Sequence, residues 1–120
     1  MRIFKSRYFD RWVDNAAITS SQLREAVQEL SNGLHDGNLG VGVYKKRIAQ
    51  KGRGKRSSFR TLVAYQERDK AFFMYGYAKN VKANISVKEK QGYRKLAREY
   101  LALNEEQLLN LLKQGLLVEV

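Results

Sequence analysis

The sequence predicts an α+β fold in which a hairpin sheet is packed by helices, and three observations predict it. Two runs, residues 57–66 and 71–79, are rich in β-branched and aromatic side chains and flank a polar turn at Arg68-Asp69. Thr19, Ser86 and Asn104 each stand three positions before a Gln or Glu and open apolar patterns of helical period. The order along the chain reads β-α-α-β-β-β followed by helices, so like elements come in runs, which points to α+β. At 120 residues and 43% hydrophobic content, the chain is expected to form one domain over residues 1–120.

Residues 1–5 read as a short strand, with Ile3 and Phe4 apolar. Ser6 can cap a helix that places Tyr8, Phe9, Trp12 and Val13 on one side, where all four are expected in the core. Asp14-Asn15 is expected to break it. Thr19 and Gln22 form a capping box for the next helix, whose Leu23, Ala26, Val27 and Leu30 make a buried stripe. Gly33 suits the left-handed close of that helix. His35 stands alone in the loop beyond and is expected to be structural.

Gly40 and Gly42 can bend or bulge the chain before a basic strand, residues 43–49. In that strand Lys45 and Arg47 share one side, and Tyr44, Lys46 and Ile48 the other. The two apolar strands follow. A loop of two or four residues between them pairs Glu67 with Lys70. One face then carries Phe59, Thr61, Val63 and Tyr65 beside Phe72, Met74, Gly76 and Ala78, and is expected to pack on the helices. The other carries Arg60, Leu62 and Ala64 beside Phe73, Tyr75, Tyr77 and Lys79, with Arg60, Tyr75, Tyr77 and Lys79 together at one end. An odd loop length would spoil this grouping.

Ser86 with Glu89 opens a helix to about Leu101, with Leu96, Ala97, Tyr100 and Leu101 inward. Asn104 with Gln107 caps a last helix carrying Leu108, Leu109, Leu111 and Leu112, closed at Gly115. Residues 116–120 read as a closing strand or a docking tail.

Charge narrows the function. The chain carries a formal net charge of +11. Residues 37–66 hold eight basic side chains and no acidic one, several of them around Gly52 and Gly54. A surface of that kind suits a polyanion, because Lys and Arg neutralise phosphates and release counterions. Nucleic acid or the ribosome is the expected partner, and no membrane is expected, since no apolar run approaches the roughly 20 residues a spanning helix needs. The N-terminus lacks a signal-peptide apolar stretch, so the expected location is the cytoplasm. There is no cysteine and one histidine, so no thiolate or histidine metal site and no cofactor is expected. The glycine loop lacks the GK[ST] ending of a P-loop. His35 with Asp36 is too little for a serine triad.

One chemistry needs only cations and phenols: cleavage of an RNA strand by its own 2′-OH. Arg stabilises developing charge but is a poor base. Lys serves as base only when its pKa falls, and crowding Lys45, Lys46, Lys51 and Lys55 among arginines such as Arg56 pushes in that direction. Tyr75 and Tyr77 can stack on bases or relay protons.

At these residues the chain resembles the RelE/HigB type of bacterial toxin. The resemblance runs through Arg47-Ile48-Ala49, Gly52-Arg53-Gly54-Lys55, Phe59-Arg60-Thr61-Leu62 and the stretch from Phe72 to Asn80, and spans nearly the whole chain. It implies a compact antiparallel sheet packed by N-terminal helices, with a helical C-terminal extension. It also implies a metal-independent endoribonuclease that cleaves mRNA on the ribosome and is neutralised by a cognate antitoxin, of helix-turn-helix type in the HigB-like subgroup. By position, Arg60 matches the strand arginine that stabilises the phosphate, and Lys79 stands near a second basic residue at the end of the next strand. Lys45, Arg47, Arg53 and Lys55 match residues that hold RNA or transfer protons.

The candidate catalytic set is therefore Arg60, Lys79, Lys55 and Tyr77; the candidate RNA-binding set is Lys45, Lys46, Arg47, Lys51, Arg53, Arg56 and Tyr75. Smaller relatives place a catalytic tyrosine at the C-terminus, where this chain has a helix; Tyr75, Tyr77 and Tyr93 are the phenols available to replace it. Base and acid are not assigned at this level. Two rival readings stand beside this one: a ParE-like inhibitor of DNA gyrase on the same fold, and a non-catalytic RNA- or DNA-binding module.

Overall fold

The computed structural model describes residues 1–50, 58–82 and 84–120. The elements run β1 (Arg2–Ser6), α1 (Arg7–Ala16), α2 (Ser20–Ser31), β2 (Gly37–Gly40), β3 (Val43–Ile48), β4 (Phe59–Gln66), β5 (Lys70–Ala78), α3 (Val87–Leu101), α4 (Glu105–Lys113) and β6 (Leu117–Glu119). They build one six-stranded sheet in the order β2-β3-β4-β5-β1-β6. Every pairing is antiparallel except β1 with β5, which sets Phe4 beside Phe72.

Local chemistry sets the helix starts. The side chains of Ser6, Thr19, Ser86 and Asn104 each accept a backbone N–H of the first turn, and the last three form complete capping boxes with Gln22, Glu89 and Gln107. Each cap satisfies donors the helix itself cannot, an effect of about 0.5–2 kcal/mol. Asp14 and Asn15 do not break α1, contrary to expectation. Both sit on its exposed side, and burial of Phe9 and Val13 on the other side outweighs their modest helix propensity. The helix ends at Ala17 instead, in the left-handed region at φ 56°.

Both faces of the sheet are covered. α1 and α2 pack Phe9, Val13, Leu23, Ala26, Val27 and Leu30 against Ile48, Val63, Tyr65 and Phe73. The C-terminal extension folds back on the opposite face, where Ala97, Leu108 and Leu117 meet Phe4, Leu62, Ala64, Phe72 and Met74. Half-buried Leu96, Tyr100 and Leu101 pack there too.

The β4–β5 hairpin corrects the expected register. Gln66 pairs with Lys70, so the loop has three residues, with Arg68 at φ 62°. The odd loop would have ruined the expected grouping, but the register shifts again between Leu62 and Val63, leaving Met74 as the extra residue of a bulge. Beyond that bulge Leu62 faces Tyr75, Thr61 faces Gly76 and Arg60 faces Tyr77, as expected. Before it the faces differ from expectation. Phe73 joins Val63 and Tyr65 under α1 and α2, while Phe72 and Met74 join Leu62 and Ala64 under the C-terminal helices.

β2 was not expected from the sequence. It is a four-residue edge strand against β3, with a register shift between Asn38 and Gly40. No helix among the described residues is long and apolar enough to cross a membrane.

Candidate nucleic-acid interface

Three strands place the candidate side chains in rows. Across β3, β4 and β5, Arg47 pairs with Arg60 and Arg60 with Tyr77; the neighbouring row on the same side is Lys45, Leu62 and Tyr75. Strand alternation therefore puts two arginines, a lysine and two tyrosines on one face at the end of the sheet away from the β4–β5 turn.

Each cation is held differently. Arg60 is half-buried, and its Nη1 donates to the Ser58 hydroxyl at 2.6 Å and to the Ser58 carbonyl at 3.4 Å. Ser58, two residues back and just before β4, is itself buried, which makes it a fixed brace. Sequence reasoning passed over Ser58; that i−2 spacing was the available signal. Arg47 is exposed, with Nε 3.5 Å from the Asp36 carboxylate, whose other oxygen accepts the Arg47 backbone N–H at 2.7 Å. Lys79 lies one residue past β5 and is exposed, in a turn where the Val81 and Lys82 N–H groups donate to the Ala78 carbonyl.

Lys46 stands apart from this group. Only 7% exposed, it points to the α2 side of β3 and pairs with Glu29 at 3.1 Å. Strand alternation alone already separated it from Lys45 and Arg47. Lys46, expected among the RNA-binding residues, thus lies on the opposite face of β3 from Lys45 and Arg47 and is paired with Glu29. Lys51, Arg53, Lys55 and Arg56 lie outside the described residues.

The phenols form a continuous cluster. Tyr75 stacks on Tyr8, Tyr77 and Tyr93 at centroid separations of 5.6, 5.6 and 5.3 Å. Tyr8 thus leaves the expected core and lies 56% exposed on the surface. Lys82, not foreseen as a site residue, places Nζ 5.9 Å from the Tyr75 ring centre while pairing closely with Glu89. Burial raises the Tyr77 phenol above its ordinary pKa, although the Arg60 charge opposes the shift. Burial likewise raises Tyr75 and pushes Tyr93 up to about 12. All three are therefore hydroxyl donors at neutral pH.

His35 fulfils its structural expectation: Nδ1 accepts the Gly37 N–H at 3.1 Å, and the ring packs on Tyr44. A cavity of about 520 Å³ opens between α2 and β3, lined by Glu25, Glu29, Asp36 and Lys46 among others. Its three carboxylates outnumber the two cations that line it, Lys46 and Arg47, which makes it a poorer seat for a polyanion than the sheet face. Among the described residues, no group of three His, Asp or Glu side chains is placed to hold a metal.

The match that decides the family is complete in length. The model described as "RelE toxin of RelE / RelB toxin-antitoxin system" covers residues 1–120. The chain belongs to the RelE toxin family. A comparison with curated proteins found no match. A RelE toxin is one member of a toxin–antitoxin pair, so the sheet face just described belongs to a toxin, and an antitoxin is its natural partner.

Proposed function

We propose that this RelE-family toxin is a metal-independent endoribonuclease that cleaves mRNA at the ribosome, acting in the cytoplasm as one domain over residues 1–120. A helix-turn-helix antitoxin of the HigB-associated type neutralises it. The observation that carries the reading is the row Arg47, Arg60 and Tyr77, which sets braced cations beside a phenol held in its protonated form.

The chemistry balances with those groups. The RNA 2′-oxygen attacks phosphorus and the P–O5′ bond breaks, leaving a 2′,3′-cyclic phosphate and a 5′-hydroxyl. Arg60 stabilises the negative charge that builds on the phosphorane, with Arg47 and Lys79 holding adjacent phosphates. Tyr77 gives its proton to the departing 5′-oxygen; a phenol carries that proton at neutral pH and so can donate it. A lysine of the basic segment, Lys55 by family position, takes the 2′-proton. Tyr75 supports the phenol cluster from within, its ring packed on Tyr8, Tyr77 and Tyr93.

The test is single-turnover cleavage of mRNA on programmed ribosomes, with and without chelator, for the wild type, Arg60→Ala and Tyr77→Phe. Cleavage should survive chelation. Arg60→Ala should slow it on the order of a hundred- to a thousandfold, with ribosome co-sedimentation and antitoxin binding retained. Arg60→Ala cleaving at the wild-type rate would remove Arg60 from the chemistry. Intact transcripts together with gyrase-dependent DNA damage would move the chain to the ParE-like reading. RNA binding without cleavage would make it a binding module.

A further inference from the structure

We propose that Tyr8 is a nucleobase-stacking residue that holds an unpaired base of the RNA beside the Arg60 row, an inference that rests on the ribonuclease reading. Tyr8 sits in the first turn of α1, where the Ser6 cap fixes the backbone by accepting the Phe9 N–H at 3.1 Å. Most of its ring faces solvent. A single exposed aromatic is ordinary on a protein surface. This one is the outer end of an ordered array. Its ring lies 23° from the plane of Tyr75, and Tyr75 lies 27° from the plane of Tyr77. Tyr77 is the cross-strand partner of Arg60. Two stacking steps therefore connect Tyr8 to the arginine that would hold the scissile phosphate.

The surroundings favour a base over a protein side chain as occupant. Exposed Arg7 and Arg11 flank Tyr8 on α1. A nucleotide offers a flat ring for the phenol and a phosphate for those cations; stacking of this kind tolerates any base, because every base has a π face. Asp10, the acidic residue nearest in sequence, is already paired with Lys5 at 2.7 Å. Tyr8 would thus fix a nucleotide close to the cleavage point and set how tightly the strand is held, without touching the reacting atoms.

The experiment measures single-turnover cleavage against the concentration of ribosome–mRNA complex for the wild type, Tyr8→Ala, Tyr8→Leu and Tyr8→Trp. Thermal melts check that each variant is folded. Stacking of one base on an aromatic ring corresponds to roughly 5- to 150-fold in affinity. Tyr8→Ala and Tyr8→Leu should raise the half-saturating concentration within that range while changing the saturated rate far less. Tyr8→Trp should restore saturation, and its fluorescence should be quenched by a short single-stranded oligoribonucleotide.

Wild-type saturation in folded Tyr8→Ala would overturn the proposal. So would Tyr8→Leu behaving like Tyr8→Trp, which would reduce the role to apolar packing. Loss of antitoxin binding with unchanged RNA saturation would overturn it too, assigning the ring to a protein contact. Should the wild type cleave nothing, the ribonuclease reading falls by itself, and the oligoribonucleotide quench then decides stacking: quenching supports it and its absence overturns it.

Discussion

Arg60 and Glu89 show how single side chains are aimed by neighbours a few positions away. The Arg60 guanidinium is steered by both oxygens of buried Ser58. Ser58→Ala should free the guanidinium to sample other directions, lowering the saturated cleavage rate about tenfold with little change in half-saturation, since a hydrogen bond to a charged group contributes about 1.5 kcal/mol or more. Single-turnover kinetics check this, and an unchanged rate would mean the brace is not needed. Glu89 caps α3 and pairs with Lys82, and the Lys82 ammonium, followed by the Ser86 backbone and hydroxyl, lowers its pKa from 4.5 to about 2. A depressed carboxylate stabilises the fold above its ordinary pKa and loses that contribution as pH falls through the folded value. The thermal midpoint of the wild type should therefore exceed that of Glu89→Gln at pH 7, and the gap should close between pH 4.5 and about 2. A gap independent of pH would show that the carboxylate's charge is not the cause.

At the level of elements, the β4–β5 hairpin is decided by two irregularities that offset each other. A three-residue turn moves the register one way and the bulge at Met74 moves it back, so Arg60 regains Tyr77. Just past the bulge, Gly76 admits the Trp12 ring against the strand; a Cβ there would lie 2.2 Å from Trp12 Cζ3. Gly76→Ala should therefore displace α1 from β5 and cost about 1–3 kcal/mol, as overpacking typically does. Urea unfolding measures it, and adding Trp12→Leu should recover part of the loss. An unchanged midpoint would mean that Trp12 moves aside freely. Much of this scale was legible in the chain. The caps and the stripes of α2, α3 and α4 depend on residues three or four positions apart. The bulge was not legible, because no local motif marks it. Nor was β2, whose four residues, Gly-Asn-Leu-Gly, have little strand propensity and are paired only because β3 lies alongside.

For the whole molecule, a net charge of +11 would make the proposed association with RNA salt-dependent. The logarithm of the binding constant should fall linearly with the logarithm of salt concentration, and Lys79→Ala should reduce the slope by about 0.7 if that side chain neutralises one phosphate of a single strand. Co-sedimentation with ribosomes over a salt series reads the slope; an unaltered slope would place Lys79 away from the nucleic acid. The same charge does not describe where the cations go. Lys46 belongs to the acid-free segment in the chain, yet in the fold it is buried against Glu29.

The chain by itself determined the helix starts, the α+β class, the one-signed basic segment and the resemblance that the RelE family match bears out. Each of these is a property of neighbours in sequence, carried by i to i+3 hydrogen bonds or by composition. Tertiary structure alone decided that the C-terminal helices cover the second face of the sheet and that β1 runs parallel to β5. It also brought Tyr8, Tyr75, Tyr77 and Tyr93 into one cluster. Those outcomes join residues far apart in sequence, Tyr8 and Tyr93 across 85 positions and Phe4 and Leu117 across 113. Such contacts are selected by register and burial across the whole sheet, which no local pattern encodes.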